Sequence, residues 1–371
     1  MADTFYYSRD TKVHLTTTSG AIYKIPVLDG FSFSQATNTS EITLNEMATS
    51  AGVSRRARQM FTDSYAPAEW SMSTYIRPFK SGGAGSGGEH AAAEHHAVEE
   101  ALWNALAAGA APGQSGDALT PGGSNMALAF TNSNKVALDT FTLEFELGSG
   151  KSNPTIYKIT DCVVNEVSID FDIDGIATAN WSGFGSIITE ESSMSTATIY
   201  EGTAAADTNN FIRNRLTDLT VTATAAGSIT TAYTLTLTGG NITISNNMTY
   251  LTPETLGIIN QPLGHVTGTR SVSGTFTCYL NTPSSGASSA DLFEDIIEST
   301  EVITNDFDLT FVIGGTGNSP TLTMNLDSCH LEVPTHSIDD IVSLETSFHA
   351  LPTSVDATDE IDMIFLGPTV T

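Results

Sequence analysis

Apolar and polar residues alternate strictly along two stretches of this chain, and the two stretches share much of their text. Phe141 to Val167 and Phe307 to Val333 superimpose without a gap. Nine positions coincide: Phe141/Phe307, Leu143/Leu309, Phe145/Phe311, Gly148/Gly314, Pro154/Pro320, Thr155/Thr321, Asp161/Asp327, Glu166/Glu332 and Val167/Val333. Alternation sets Phe141, Leu143, Phe145 and Leu147 on one face of a strand, with Thr142, Glu144 and Glu146 on the other. Gly148-Ser149-Gly150 and Gly314-Gly315-Thr316-Gly317, closed by Pro154 and Pro320, are turn chemistry between paired strands. One unit written twice predicts two copies of one domain.

The repeat extends upstream. Trp70 to Pro78 reads as a strand and is echoed by Gly274 to Thr282, with Met72/Phe276, Tyr75/Tyr279 and Ile76/Leu280 aligned. A Gly/Ser stretch and then a helix follow each strand. Val98, Leu102 and Leu106 recur at helical spacing before Gly109; Leu292, Phe293, Ile296 and Ile297 form a stripe after Ser289 and Asp291. Between helix and hairpin the first copy carries a Gly/Pro/Ala-rich insertion, Ala110 to Leu138, expected on the surface. Ala177, Ala179 and Trp181 continue at period two, as do Leu344 and Phe348, one residue out of register. Ile242-Thr-Ile-Ser245 takes the place of Phe31-Ser-Phe-Ser34. Glu190 to Gly202 reads as a linker. The expected architecture is mainly β: two tandem β-sandwiches or small barrels, each with one flanking helix, over 1–190 (with an insertion around 80–138) and 191–371.

Composition sharpens this picture. The 371 residues hold 14 Lys+Arg against 42 Asp+Glu, a net charge of −28, so free nucleic acid and anionic membranes are repelled over most of the exterior. The first ten residues have neither a basic region nor an apolar run, and no later stretch has the apolar length of a membrane span, which predicts a soluble protein made in the cytoplasm. Cys162, Cys278 and Cys329 are too few and scattered for a disulfide framework and read as buried thiols. Three basic residues, Arg55, Arg56 and Arg58, cluster in an otherwise acidic chain. They are either a solvated face or an acceptor for an acidic neighbour.

Candidate chemistry is weak. Gly148-Ser-Gly-Lys-Ser152 lacks the earlier glycine and the following helix of a phosphate loop, so it reads as a turn. Asp170, Asp172, Asp174 and Gly175 resemble the start of a calcium loop, but Trp181 stands where a bidentate Glu belongs, and strand alternation explains the spacing equally well. His90, His95 and His96 beside Glu89, Glu94 and Glu99 lack the His-x-x-x-His spacing of a helical metal pair and read as a solvated helix start. No nucleophile elbow is present. Catalytic, metal and cofactor sites are therefore expected to be absent, and an enzyme, such as a polysaccharide hydrolase with convergent carboxylates, is disfavoured. A β-rich secreted or surface adhesin shares the Thr/Ser/Gly composition but lacks the export signal.

Ile25 to Thr37, Glu41 to Glu46, the Arg55/Arg56/Arg58 cluster and Phe211 to Val221, with the strand, helix, strand order of both copies, resemble the major tail tube proteins of long-tailed bacteriophages. The resemblance implies subunits that join their sheets into a continuous barrel around a channel for genome passage. It also implies a long loop between early strands (Asn38 to Pro67) that packs on the next ring. Single-domain members form hexameric rings, so a duplicated chain implies three subunits per ring. Implied partners are further copies of the chain, tape measure and tail terminator or tip proteins, with DNA passing unbound through the lumen; the location is the virion tail, after assembly in the host cytoplasm. On that footing two acidic sets, each on one strand face, compete for the lumen, Asp170/Asp172/Asp174 and Glu144/Glu146; the denser Asp170, Asp172 and Asp174 set is the lumen-lining candidate, and Arg55, Arg56 and Arg58 are the candidate ring-stacking residues.

Overall fold

The computed structural model describes residues 5–42, 59–83, 92–131, 138–195, 199–200, 204, 206–223, 232–252, 262–282, 287–298, 307–317, 319–338 and 340–370. The fold is mainly β, as the period-two pattern predicts. Strand β1 (Thr11–Thr17) pairs antiparallel with β2 (Ile22–Ile25) and with β9 (Phe141–Leu147), and β9 turns back into β10 (Thr155–Asp172). Phe141, Leu143 and Phe145 are buried opposite Val13 and Leu15. Glu144 departs from the expected solvent face and is 3% exposed. It accepts hydrogen bonds from the Ser195 backbone N–H at 3.0 Å and the Ser195 hydroxyl at 2.9 Å, because the chain after β12 (Ile188–Glu191) folds across it.

Strand β10 serves two sheets. Its first part pairs with β9 and, from Ile156 to Ile159, with β12, so part of the predicted linker is a strand. At Asp161 the backbone takes a φ of 52° and the register slips, which re-aims the strand. From Val163 onward β10 lies in a second sheet. That sheet runs β3 (Ser32–Ile42), β4 (Gln59–Tyr75), β11 (Thr178–Gly185), β10, β16 (Thr236–Ser245), β19 (Ser271–Tyr279), β24 (Val342–Ala350), β23 (Thr335–Ile338), each neighbour antiparallel. The β10–β16 ladder, Glu166 opposite Ser245 through Asp172 opposite Gly239, joins the halves of the chain in one sheet. Gly240 makes that seam possible. A Cβ there would lie 2.7 Å from the Phe171 ring and 2.4 Å from the Thr275 carbonyl oxygen, so glycine leaves room for Phe171, 2% exposed, to lie across the junction.

The second half has its own outer sheet. Strand β21 (Phe307–Ile313) pairs with β14 (Asp218–Ala223) and with β22 (Thr321–Leu331), and β22 pairs with β25 (Asp362–Leu366). The two hairpins match in pairing: Phe141 opposes Cys162 and Leu143 opposes Ile159, while Phe307 opposes Cys329 and Leu309 opposes Leu326. Cys162 therefore corresponds to Cys329, not to Ser328 as the gapless overlay has it, since the second turn is one residue longer. Both thiols, buried and free, donate to the carbonyl three residues before them, Ile159 and Leu326. By the same criterion Ile242, opposite Gly274, corresponds to Phe33, opposite Trp70, two residues from the expected match.

The insertion is not a surface loop. Strands β7 (Leu119–Thr120) and β8 (Met126–Ala129) pair with each other, and β8 pairs with β25, so residues of the first half extend the outer sheet of the second. Met126, Leu128 and Phe130 are buried. Beneath them helix α1 (Glu100–Ala107) is buried on every side, which its spacing of Val98, Leu102 and Leu106 did not indicate. Trp103 packs edge-on against Trp181 at 4.6 Å and against Phe365 at 5.7 Å, touching both halves at once. The second helix, α2 (Ser289–Glu298), is the flanking type expected: Leu292 is buried and Ile297 half exposed.

The histidines reported as a solvated helix start are the other correction. His95 and His96 sit in β6 (His95–Ala97), paired with β5 (Pro78–Lys80), and are buried, as are Glu99 and Glu100. Packing against the second half covers them: Gly367 N–H donates to His95 Nδ1 at 3.2 Å, and His96 Nδ1 lies 2.9 Å from Glu100 Oε2. His90 and Glu89 lie outside the described residues. Glu99 accepts from the Arg77 backbone N–H at 3.2 Å and from the Trp103 indole N–H at 3.1 Å. The Arg77 guanidinium stacks on Phe211 at 4.3 Å and donates to Asn210 Oδ1 at 2.9 Å and the Ala204 carbonyl at 3.0 Å, tying β4 to the segment between the halves.

Burial pushes the Glu99 carboxyl up to about 7, against the hydrogen bonds and the Arg77 charge that favour its ionised form. A carboxyl raised in the folded state stabilises fully below its unfolded value and loses that stability as pH climbs through the folded one. Denaturation of the Glu99→Gln variant beside the parent should therefore give coincident stabilities at pH 4. The parent should then fall relative to the variant by at most about 1.4 kcal/mol per pH unit up to pH 7. Parallel pH curves would contradict this.

Candidate functional site: a sheet face without lysine or arginine

The sheet that spans both halves has two unlike faces. Inward point Trp70, Met72, Trp181, Val167, Ile169, Phe171, Ile242, Ile244, Phe276, Leu344 and Phe348, all buried. The other face carries Ser71 and Ser73 of β4, Thr178, Asn180 and Ser182 of β11, Ser168, Asp170 and Asp172 of β10, Asn241 and Thr243 of β16, Ser273, Thr275 and Thr277 of β19, and Ser343 and Ser347 of β24, all partly or fully exposed. Strict period-two alternation produces this division, because one register holds across each ladder. The short polar side chains bond to one another: Asn180 donates to Asp170 Oδ2 at 3.2 Å and accepts from the Ser73 hydroxyl at 2.7 Å, and Ser32 and Ser71 hydroxyls meet at 2.8 Å.

Apart from His349 of β24, which lies opposite Ser273 and 3.5 Å from Glu332, the charged groups of this face are carboxylates. Glu69, Glu166, Asp170, Asp172 and Glu345 are its carboxylates, and the eight strands contribute no lysine or arginine to it; Lys158 lies on the part of β10 that pairs with β9 and β12. Asp170 and Asp172 stand where the alternation predicts, exposed and side by side on β10. Asp174 does not join them. The strand ends at Asp172, the chain turns at Gly175 (φ 110°), and the Asp174 carboxylate meets Arg215 at 3.5 Å, both exposed. The resemblance to a calcium loop ends there too: Asp170 takes Asn180, Asp172 takes the Ile173 backbone N–H at 2.7 Å, and among the described residues no three His, Cys, Asp or Glu side chains are grouped to hold a metal. Arg55, Arg56 and Arg58 lie outside the described residues. The arm that leads to them, the outer parts of β3 and β4, exposes Ile42, Met60 and Phe61.

A family model for the phage tail tube protein matches residues 28–350. The chain is 30% identical over 373 residues to the tail tube protein pb6 of Escherichia phage T5, an alignment that covers 95% of this chain and 74% of that protein. The chain belongs to the phage tail tube protein family. A tail tube protein is a structural component of the virion's tail that assembles with itself into the tube. The matched region opens just before β3 and closes on the last residue of β24, so it brackets the two-faced sheet from one end to the other. No helix among the described residues is long and apolar enough to cross a membrane.

Sequence reasoning pointed to the acids of this tube protein and missed the rest of the face. Serine, threonine and asparagine outnumber the carboxylates there, and Asn180 holds the Asp170 carboxylate. The signal was available: strands β3, β4, β11, β16, β19, β23 and β24 contain no Lys or Arg at all, although 14 occur in the chain.

Proposed function

We propose that the Ser/Thr/Asn face of the eight-stranded sheet lines the bore of the tail tube, and that DNA moves along it without lasting contact. The observation that supports this reading is a continuous sheet face with carboxylates and no lysine or arginine. Lys and Arg are the groups that release counterions on binding phosphate, so a face without them has no term to retain DNA, and scattered acids repel it.

Three chains per ring follow from width. Strands lie about 4.8 Å apart, so eight from each of three chains give a circumference of about 115 Å and about 37 Å between opposite backbones before tilt, whereas two chains give only about 24 Å. Once side chains are in place, only the larger bore passes a duplex roughly 20 Å across. In this reading 1–190 and 191–371 are tandem tube domains that supply four strands each, which makes the ring pseudo-sixfold. The protein has no catalytic role. Its partners beyond itself are tape measure and terminator or tip proteins, met during assembly in the host cytoplasm. Arg55, Arg56 and Arg58, in the sequence between β3 and β4, dock on acidic residues of the adjacent ring.

Cryo-electron microscopy of purified tubes is expected to show three chains per ring with β10 and β16 facing the bore; six chains per ring, or these strands on the outer wall, would sink the proposal. Phage carrying Asp170→Lys with Asp172→Lys should eject DNA several-fold more slowly, a delay relieved by added salt, and Asn at both positions should have a smaller effect; parent-like rates with Lys would remove the role of the face. Replacing Arg55, Arg56 and Arg58 together by Ser should shorten tubes and lower the salt concentration at which they fall apart. Each exposed pair contributes at most about 1 kcal/mol, but the number is multiplied around each ring. Unchanged length and salt resistance would rule out the arginine contact.

A further inference from the structure

The long sheet ends in two strands that pair on one side only among the described strands, β3 with β4 and β23 with β24. The junction inside the chain shows how such ends can meet. Matched through their partners, Ile169 of β10 (opposite Ala179) corresponds to His336 of β23 (opposite Leu344), and Ile242 of β16 corresponds to Phe33 of β3. Each end of the sheet is thus the counterpart of one side of the β10–β16 seam. Burial differs sharply between the two settings. Phe171, covered by β16, is 2% exposed, while Ile338 in the corresponding place on β23 is 79% exposed. Ile242 is 0% exposed, and Phe33 is only half-buried.

We infer that β23 of one chain pairs antiparallel with β3 of a second copy, in the register of the internal seam: Thr335 opposite Ser34, His336 opposite Phe33 and Ile338 opposite Phe31. This deepens the ring reading above and rests on it. Faces agree at every step. Thr335 shares the polar face with Glu345, and Ser34 shares it with Glu69, so these two meet on the bore side. His336 and Phe33 lie on the core side, opposite Leu344 and Trp70. Where the internal seam sets a large Phe171 beside Gly240, the seam between copies sets Ile338 beside Phe31, which already stacks on Phe145 at 5.8 Å. Pro334, with no N–H to donate, stops the ladder before Thr335 and forbids extension into a longer register. Until a second copy arrives, β23 is a four-residue edge behind a proline, a poor template for indiscriminate pairing.

The test uses the full chain with Thr335→Cys and Ser34→Cys, leaving the buried native thiols in place. Directly opposed residues meet the disulfide distance limit of about 7 Å between Cα atoms, whereas a two-residue slip exceeds it. Mild oxidation of assembled tubes should convert most of the protein to covalent oligomers ending at a closed trimer on a non-reducing gel, at least tenfold more than Thr335→Cys with Ser32→Cys gives. Tubes that form but link only in the slipped pair, or in neither, overturn the seam and leave the tube reading standing. Failure of the parent chain itself to form tubes overturns both. Ile338→Asp covers the case of a double variant that does not assemble: the monomer's thermal unfolding should not move, and tube yield should drop at least tenfold. A parent-like yield from Ile338→Asp rejects the seam.

Discussion

The pairing of β10 with β16 is the contact on which the rest of the molecule depends. Without it the chain would be two β-sandwiches on a tether; with it, one sheet crosses the whole protein and presents a single polar face. The contact is possible because β10 is long enough to leave its own hairpin, turn at Asp161 and carry on into a second sheet. Gly240 then lets Phe171 bridge the junction. A strand that changes sheets at a bulge is a familiar way to make the corner of a sandwich. Here the corner also sets the spacing between halves.

The second tie is made by groups that do not belong to the sheet. Helix α1, Trp103 and the Arg77 network hold first-half strands against second-half residues from Asn210 to Gly367. Its charged members have the partners that buried charges require: Glu99 takes an indole and a backbone donor, and Arg77 takes an aromatic face and carbonyl oxygens. The two halves are therefore tied by side-chain contacts as well as by the sheet, which suits a protein whose work is to hold a shape.

Much of this was legible in the residues, and the gaps have physical causes. Alternation in Phe141 to Leu147 and in Phe307 to Ile313 specified strand, face and hairpin correctly, because period two has one interpretation when a face is buried. Helical spacing located α1 but showed only one stripe of it; its other faces are covered by β8, β10, Trp181 and, about 260 residues later, Phe365 of β25, and local pattern carries no trace of that. Distance along the chain also hid the burial of His95 and Glu144, whose cover comes from Gly367 and Ser195. Asp174 was misplaced for a smaller reason: alternation counts residues, and the strand stopped two residues short. Of the polar face itself, Asp170 and Asp172 were singled out because three acids at strand spacing draw attention, while Glu69, Glu166, Glu345 and the hydroxyls were passed over as composition.

The pairing of β8 with β25 has a consequence in time. Ala127 of β8 meets Ile364 near the far end of the chain, about 240 residues later. At a synthesis rate of about 5–20 residues per second, the insertion and the helix beneath it wait on the order of 10–50 s for the strand that completes their cover. During that interval Trp103 and its neighbours lack one wall, and the first half cannot mature on the ribosome. Loop closure over such a span also slows the final step. A chain not yet extended to β25 therefore lacks both the strand that pairs with β8 and the Phe365 ring that packs on Trp103.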